Sequence, residues 1–257
     1  MSEHSPAIPA ATLILFRERD GQLPEHLMIE RAGHLSFAAG ALVFPGGRIE
    51  PEDHALTQRE QLLRNRPADD DDAAARVAAI RETLEETGVA VAITPSPDAA
   101  TILAWRAKLI EGVPFAELLA ETGARLDLDQ LVPFARWLPK FLQHKRFDTR
   151  FYLARVDDAC VAQVDGTEAT RHLWMTAEGF LAGADAGQHR VIFPTRRNLE
   201  RLAAHGRFDA VVAHARTFEV RTISPWIQEI DGREWLCIPE DAGYPVTREP
   251  LDRALRG

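Results

Sequence analysis

Glu82, Glu85 and Glu86 are the residues whose type and spacing suggest chemistry. The stretch from Ala73 to Thr87 reads as a helix, because Val77, Ile80 and Leu84 recur at spacings of three and four in an alanine-rich run. On such a helix the three carboxylates share one face within a turn. Like charges so placed destabilise an isolated helix by roughly 0.2–0.5 kcal/mol per pair, so the face needs either open solvent or a cation. A hard divalent ion such as Mg2+ suits it, since that ion takes oxygen ligands and is usually held by a few carboxylates together with substrate phosphates and water. Gly88 ends the helix, because glycine tolerates the left-handed conformation just past the last turn. A Glu-x-x-Glu-Glu face alone also describes an ordinary solvated helix, so the surrounding pattern has to decide.

Phe44-Pro45-Gly46-Gly47 lies upstream, Arg81 directly precedes Glu82, and Gly88-Val89 follow Glu86. Gly47 is followed six positions later by Asp53. Together these residues resemble the Nudix box, G-x5-E-x7-R-E-U-x-E-E-x-G-U with U apolar. Three departures stand out: Asp53 replaces the first Glu, Thr83 occupies an apolar position, and residues 54–80 fill a gap that the box spans with seven. A carboxylate one methylene shorter can still hold a water or a metal-bound water. With the enlarged box and the later Arg146-Phe147-Asp148-Thr149-Arg150-Phe151 segment, the chain is similar over most of residues 10–205 to the Nudix subgroup that includes the peroxisomal coenzyme A diphosphatases with long insertions.

That resemblance implies an α/β fold, a Nudix-type α/β/α sandwich with a mixed β-sheet and helical insertions, as a single domain over residues 1–257. It implies a diphosphatase, a hydrolase acting on acid anhydrides, whose substrate is a nucleoside diphosphate derivative. Coenzyme A or an acyl derivative leads, cut to an adenosine bisphosphate and a phosphopantetheine. ADP-ribose, a dinucleotide or a nucleoside polyphosphate are the alternative substrates, and a non-catalytic nucleotide-sensing domain is the other alternative. Glu85 and Glu86 are the expected metal ligands, joined by the Gly46 carbonyl. Glu82 is a further ligand or the general base, and Arg81 orients it by a forked hydrogen bond. Mg2+ is the expected cofactor, with Mn2+ as its substitute. Family members bring one more Glu from a later loop, and Glu168 is the candidate; the competing reading is a loop carboxylate without a role.

The elements that must position these groups read as follows. Residues 10–17 and 25–31 are short apolar runs around Asp20-Gly21-Gln22, a strand pair. Ala41 to Phe44 is another buried strand stopped by Pro45, and Gly46-Gly47 allows a ligand or backbone to come close. Residues 54–72 form one insertion, with a short helix over 58–66 and an acidic loop whose last Asp, Asp72, caps the next helix. Val89 to Ile93 reads as a strand. Helices follow over Ala99 to Glu111 and Pro114 to Thr122, inside a second insertion at about 98–132 that shapes a pocket or an oligomer contact. Arg146 to Ala154 is a strand, Thr176 caps a helix, and Pro194 to His205 is another helix. Asp231-Gly232 joins a hairpin of Pro225 to Ile230 and Glu234 to Ile238. Its Trp226 and Trp235 either stack on a base or fill a gap in the core, with core packing the preferred reading, and 239–257 reads as a loosely packed ending.

Charge narrows the partners. The net charge of -9 opposes non-specific nucleic-acid binding. Lys108, Lys140 and Lys145 are the only lysines, so positive charge is nearly all arginine, which favours forked phosphate recognition. Lys140, His144, Lys145, Arg146 and Arg150 form a basic stretch that either draws in a polyanionic substrate or pairs with surplus acids. Arg31, Arg48, Lys145, Arg146 and Arg150 are the candidate substrate-binding cations; a plain strand-end charge is the other reading of Arg31, which with His34 projects towards the loop leading to Phe37. His172, His189, His205 and His214 are scattered rather than spaced as ligands. Two cysteines, Cys160 and Cys237, form neither a disulfide framework nor a zinc spacing and favour a reducing compartment. With no apolar run near the roughly 18 residues that span a bilayer and no signal-peptide start, a cytoplasmic protein is expected. It has a small-molecule substrate, no nucleic acid or membrane partner, and room for a homodimer.

Overall fold

The structure is a computed structural model that describes residues 6–33, 38–139, 146–164 and 169–255. In chain order its first half carries β1 (Ile8–Arg17), β2 (Glu25–Arg31), β3 (Ala41–Val43), β4 (Gly46–Arg48), α1 (Pro51–Thr57), β5 (Leu63–Arg64), α2 (Asp70–Thr87), β6 (Ile93–Thr94), α3 (Ala99–Ile110), α4 (Phe115–Thr122) and β7 (Arg125–Asp127). The second half carries β8 (Val132–Trp137), β9 (Phe147–Val156), β10 (Ala169–Thr176), α5 (Ala177–Asp185), β11 (Arg190–Val191), α6 (Phe193–His205), α7 (Phe208–Ala215), β12 (Thr222–Ile223), β13 (Trp226–Ile230), β14 (Arg233–Cys237), β15 (Arg248–Pro250) and α8 (Leu251–Ala254).

The centre is β1. Leu13 and Leu15 turn to one face and Ile14 and Phe16 to the other, and all four are fully buried. A strand apolar on both faces requires a covering layer on each. Here α2, α3 and α4 cover the first face, and α5, α6 and α7 the second. The main sheet runs β11-β3-β2-β1-β9-β8-β12, with β10 along β2 and β4 along β1. Because β1 pairs antiparallel with β2 and parallel with β9, the sheet is mixed. The expected α/β/α sandwich is therefore the fold, and the expected hairpin of β1 and β2 forms with Arg17 opposite Glu25.

One detail of register makes room for a site. While β2 holds the Arg17 end of β1, the other end pairs through Ala10, Ala11 and Thr12 with Arg48, Gly47 and Gly46 of β4. β2 must splay from β1 where β4 enters, which leaves the paired glycines in the fork. Against them lies α2, whose Ala73, Ala74, Ala75, Ala78 and Ala79 are fully buried. Small side chains let this helix sit close to the sheet on one side and to α1 and α3 on the others.

Several local expectations are corrected. The helix expected over 58–66 reduces to a single 3-10 turn at Glu60–Leu62, and the α-helix of this insertion starts earlier, at Pro51, whose fixed φ suits a first helical position. The cap of α2 is Asp69, whose side chain accepts from the Asp72 N–H at 2.9 Å, so Asp70, Asp71 and Asp72 fall in the first turn and complement the helix dipole. The strand expected from Val89 shrinks to Ile93–Thr94; Val89 and Val91 are buried without strand pairing. Trp226 is 43% exposed on a strand at the margin of its sheet, and Trp235 lies beneath Arg233 and Arg248, at 5.8 and 5.5 Å from its ring centroid. Neither fills the core. The ending is not loose either: Tyr244 is buried, accepts from Trp137 Nε1 at 3.0 Å and donates to Asn198 Oδ1 at 2.9 Å. Among the described residues no helix is long and apolar enough to cross a membrane.

A buried histidine gives the fold a pH signature. His26, on β2, packs edge-on against Phe16 and has Nδ1 3.0 Å from the Leu15 carbonyl, which fixes Nδ1 as the protonated nitrogen of a neutral ring. Burial pushes its pKa from 6.5 down to about 4, opposed by the Leu15 hydrogen bond. The unfolded chain therefore takes up this proton first. Stability is whole above pH 6.5 and falls as pH drops toward 4, by about 3 kcal/mol from this group. Urea unfolding across that window should show a shallower pH slope for His26→Gln than for the parent; equal slopes would contradict this assignment.

Candidate active site

Arg81 sits at the centre of the carboxylates. Its Nε and Nη2 donate to Asp53 Oδ1 and Oδ2, each at 2.9 Å, a two-pronged fork. Nη1 donates to Glu82 Oε1 at 2.9 Å and lies 3.3 Å from both oxygens of Glu85. Nη2 also reaches the Arg48 carbonyl at 3.1 Å. One guanidinium thus ties α1, α2 and β4 together. The fork was expected on Glu82; it belongs to Asp53, and Glu82 receives a single bond. The reason is position: Asp53 sits in the first turn of α1, is 1% exposed, and also accepts the Glu50 N–H at 2.9 Å, so its carboxylate is fixed before Arg81 meets it. The long gap after Asp53 does not separate it from Arg81, because α1 packs back on α2.

The glycines shape the other wall. Gly46 N–H donates to Glu86 Oε2 at 2.8 Å, and at φ +151° a side chain there would strike the Ala11 carbonyl of β1. A Cβ on Gly47 would run into the Glu82 carboxylate. Gly46 is therefore required by its close approach to the backbone of β1, whereas Gly47 leaves the place that the Glu82 carboxylate occupies. Thr83, the departure at an apolar position, is buried and returns its hydroxyl to the Ala79 carbonyl at 2.7 Å, so the swap leaves no polar atom unmet.

The electrostatics follow from burial. Desolvation pushes the Glu82 carboxyl up to about 7, with Glu85 and Asp53 adding to the rise and Arg81 opposing it. Burial works against the charge of Arg81, but the Asp53 hydrogen bond and the Glu82, Asp53 and Glu85 charges outweigh it and hold the guanidinium protonated.

The expected cations are dispersed. Arg31 ends β2 and passes its carbonyl to the Gly40 N–H at 3.0 Å, at the splayed end of the sheet beside β4. Arg48 is exposed, and strand alternation turns its side chain from the face that Gly47 presents to Glu82. Arg146 precedes β9, with its carbonyl on the Ile8 N–H at 2.8 Å. Arg150 lies 3.6 Å from Asp72, in the first turn of α2 and about 15 Å along the helix from Glu82; it is drawn to the opposite end from the carboxylates. Glu168 and Lys145, like His34, Lys140 and His144, lie outside the described residues. Arg106, which the sequence reading passed over, is buried and donates from Nε and Nη2 to the Glu85 carbonyl at 3.1 and 3.0 Å. Its signal was present: it shares a helical face with Ile102, Trp105 and Leu109, a charge on an apolar stripe.

The donors fit a hard cation in kind. As the side chains stand, no group of three or more metal-binding side chains converges among the described residues, because Arg81 Nη1 stands between Glu82 and Glu85 and Glu86 turns to Gly46. That shared guanidinium marks a place where positive charge is accommodated between two carboxylates. Hard oxygen donors on one turn are those of Mg2+ or Mn2+. The fork itself is testable. Asp53→Ala should cost roughly 2–3 kcal/mol in urea unfolding, because it removes two charge-assisted hydrogen bonds from a guanidinium that keeps Glu82 and Glu85 as partners; a loss below about 1 kcal/mol, the range of an exposed ion pair, would deny the fork its structural weight.

Comparison with known proteins gives the family of the fold. A family model described as the NUDT19 Nudix domain matches residues 56–201, more than half of the chain. The chain is 25% identical over 238 residues to a protein of Caenorhabditis elegans named putative nudix hydrolase 7, covering 90% of this chain and 72% of that one. It is 24% identical over 217 residues to the acyl-coenzyme A diphosphatase NUDT19 of Xenopus laevis, covering 66% of this chain and 57% of that protein, so it spans little more than half of that relative. The crystal structure of a NUDIX hydrolase from Alicyclobacillus acidocaldarius superposes with a TM-score of 0.72 at 29% identity, over 81% of this chain and 96% of that one. With a sandwich of the expected layers, and a family model that covers the Arg81 to Glu86 turn and more than half of the chain, the chain belongs to the Nudix hydrolase family.

Proposed function

We propose that the protein hydrolyses the diphosphate linkage of a nucleoside diphosphate derivative, with coenzyme A or an acyl-coenzyme A as the substrate class. The observation that carries the reaction is the carboxylate turn in which Glu82 abuts Gly47, Glu86 accepts from the Gly46 N–H and Glu85 lies beside Arg81. Nudix hydrolases generally use divalent metal ions and act on small nucleotide derivatives. The substrate class is supported by the Xenopus relative, whose name is acyl-coenzyme A diphosphatase.

Phosphoanhydride cleavage needs charge neutralised on the phosphate oxygens and an activated water. A bound divalent ion supplies both. Glu85 and Glu86 would hold it, and Gly46 and Gly47 keep side chains out of its approach. Glu82, with its carboxyl raised to near neutrality, is matched to taking a proton at Oε2 while Oε1 accepts from Arg81. Arg81 keeps that carboxylate aimed, and Asp53 keeps Arg81 in place. Arg31, at the splayed end of β2, is the proposed contact for substrate phosphate, whereas the Arg48 side chain is turned from the carboxylates.

The test is cleavage of a panel of coenzyme A, an acyl-coenzyme A, ADP-ribose, a dinucleotide and nucleoside polyphosphates in Mg2+, with products separated by chromatography. Adenosine bisphosphate with a phosphopantetheine is the expected pair. Preference for another member would overturn the substrate class, and silence on every member would overturn the reaction. Glu85→Gln should lower turnover on the order of 10^3-fold with the melting temperature retained. Gly47→Ala should likewise keep the fold and lose activity, since its methyl group displaces only the flexible end of Glu82; a fully active Gly47→Ala would show that Glu82 need not sit against β4.

A further inference from the structure

Arg81 offsets the side-chain charges of Glu82 and Glu85, but the carbonyls at the end of α2 still need partners. They carry the negative end of the helix dipole, Glu82, Glu85 and Glu86 crowd the same end, and the last turn contains no basic residue of its own. Three other elements close it. Gly88, at φ +66°, gives its N–H to the Leu84 carbonyl at 2.9 Å, and Gln163 N–H donates to the Thr87 carbonyl at 2.8 Å. The Glu85 carbonyl takes both Nε and Nη2 of Arg106, from the inserted helix α3.

We propose that Arg106 is a positioning residue for the metal-holding face: it fixes the backbone of Glu85 and supplies the cation that this helix terminus lacks. The inference rests on the carboxylate turn being the metal site. Arg106 is prepared for the task. Trp105 and Leu109 on either side of it are buried in the same core as Leu84 and Val89, and Trp105 meets Phe115 of α4 edge-on at 6.0 Å between centroids. The Arg106 side chain lies alongside Gly88, where even an added Cβ would meet its Nη1 and Cδ only at 3.4 and 3.5 Å, so it is the positive φ rather than Arg106 that calls for glycine there. An insertion between two strands thereby becomes a brace behind the carboxylates, touching neither substrate nor metal.

The experiment measures Mn2+ binding to the full chain by electron paramagnetic resonance, beside steady-state kinetics on the best substrate of the panel. Arg106→Gln should weaken Mn2+ binding on the order of 10-fold to 100-fold, lower kcat and leave KM for the diphosphate little changed. Arg106→Lys, which keeps the charge and loses the paired donation, should fall between. Leu109→Ala is the control for loosened packing of α3, and a loss of Mn2+ affinity equal to that of Arg106→Gln would reduce Arg106 to packing and overturn the proposal. So would a folded Arg106→Gln with the parent Kd. If Arg106→Gln does not fold, the lysine variant decides, an intermediate Kd supporting the role and the parent Kd overturning it. A Glu85→Gln protein that binds Mn2+ as the parent does would bring down the metal-site reading itself, and this proposal with it.

Discussion

The structure of the site depends on one buried ion pair, the fork between Arg81 and Asp53. Removing two charges from water is costly, and the cost is met only when geometry is good and the remaining hydrogen-bonding capacity is used. Both conditions hold: the fork is two-pronged at 2.9 Å, Asp53 also accepts a backbone N–H, and Arg81 spends its third nitrogen on Glu82 and Glu85. The consequence is geometric. Three carboxylates that would repel one another are gathered on a single cation, and the loop of β4 is fastened to them through the Arg48 carbonyl. With Asp in place of the usual Glu, the box position acts here as the anchor of the arginine.

The second constraint is the shared edge of β1. A strand has one free edge beyond β9, and here two strands divide it: β2 takes the Arg17 end and β4 the Ala10 to Thr12 end. That division creates the fork where the glycines lie. It also explains why side chains are absent from them, since the Gly46 position abuts β1 and the Gly47 position abuts Glu82. Sheet register, glycine placement and the aim of Glu82 are thus one arrangement seen from three sides.

Segments outside the Nudix box turn out to be structural partners of it or of the opposite layer. α3 braces the end of α2. The ending closes the other face: Glu249 is buried with Arg197 at 3.2 Å, and Tyr244 joins Trp137 to Asn198. Arg201 has its guanidinium carbon 4.3 Å from the Phe134 ring centroid and 5.2 Å from that of Tyr244, and it donates to the Phe134 carbonyl at 3.0 Å. Buried arginines held by carbonyls and ring faces in this way demand a fixed partner chain, which is why residues after 239 pack firmly despite a composition that reads as a tail.

What the sequence determined by itself was local and periodic. The three-and-four spacing along 73–87 specified the helix and the common face of Glu82, Glu85 and Glu86; the apolar runs around Asp20-Gly21 specified β1 and β2; Asp231-Gly232 specified the last hairpin, because each depends on neighbours within a few residues. Tertiary structure decided everything that needed two distant segments to meet. Only packing of α1 on α2 could give the Arg81 fork to Asp53 across the long insertion, only docking of α3 could bring Arg106 to the Glu85 carbonyl, and only the N-terminal end of α2 could draw Arg150 away from the carboxylates to Asp72. A guanidinium side chain is long and its partner is chosen by what is buried beside it, so its spacing in the chain carries no record of the choice.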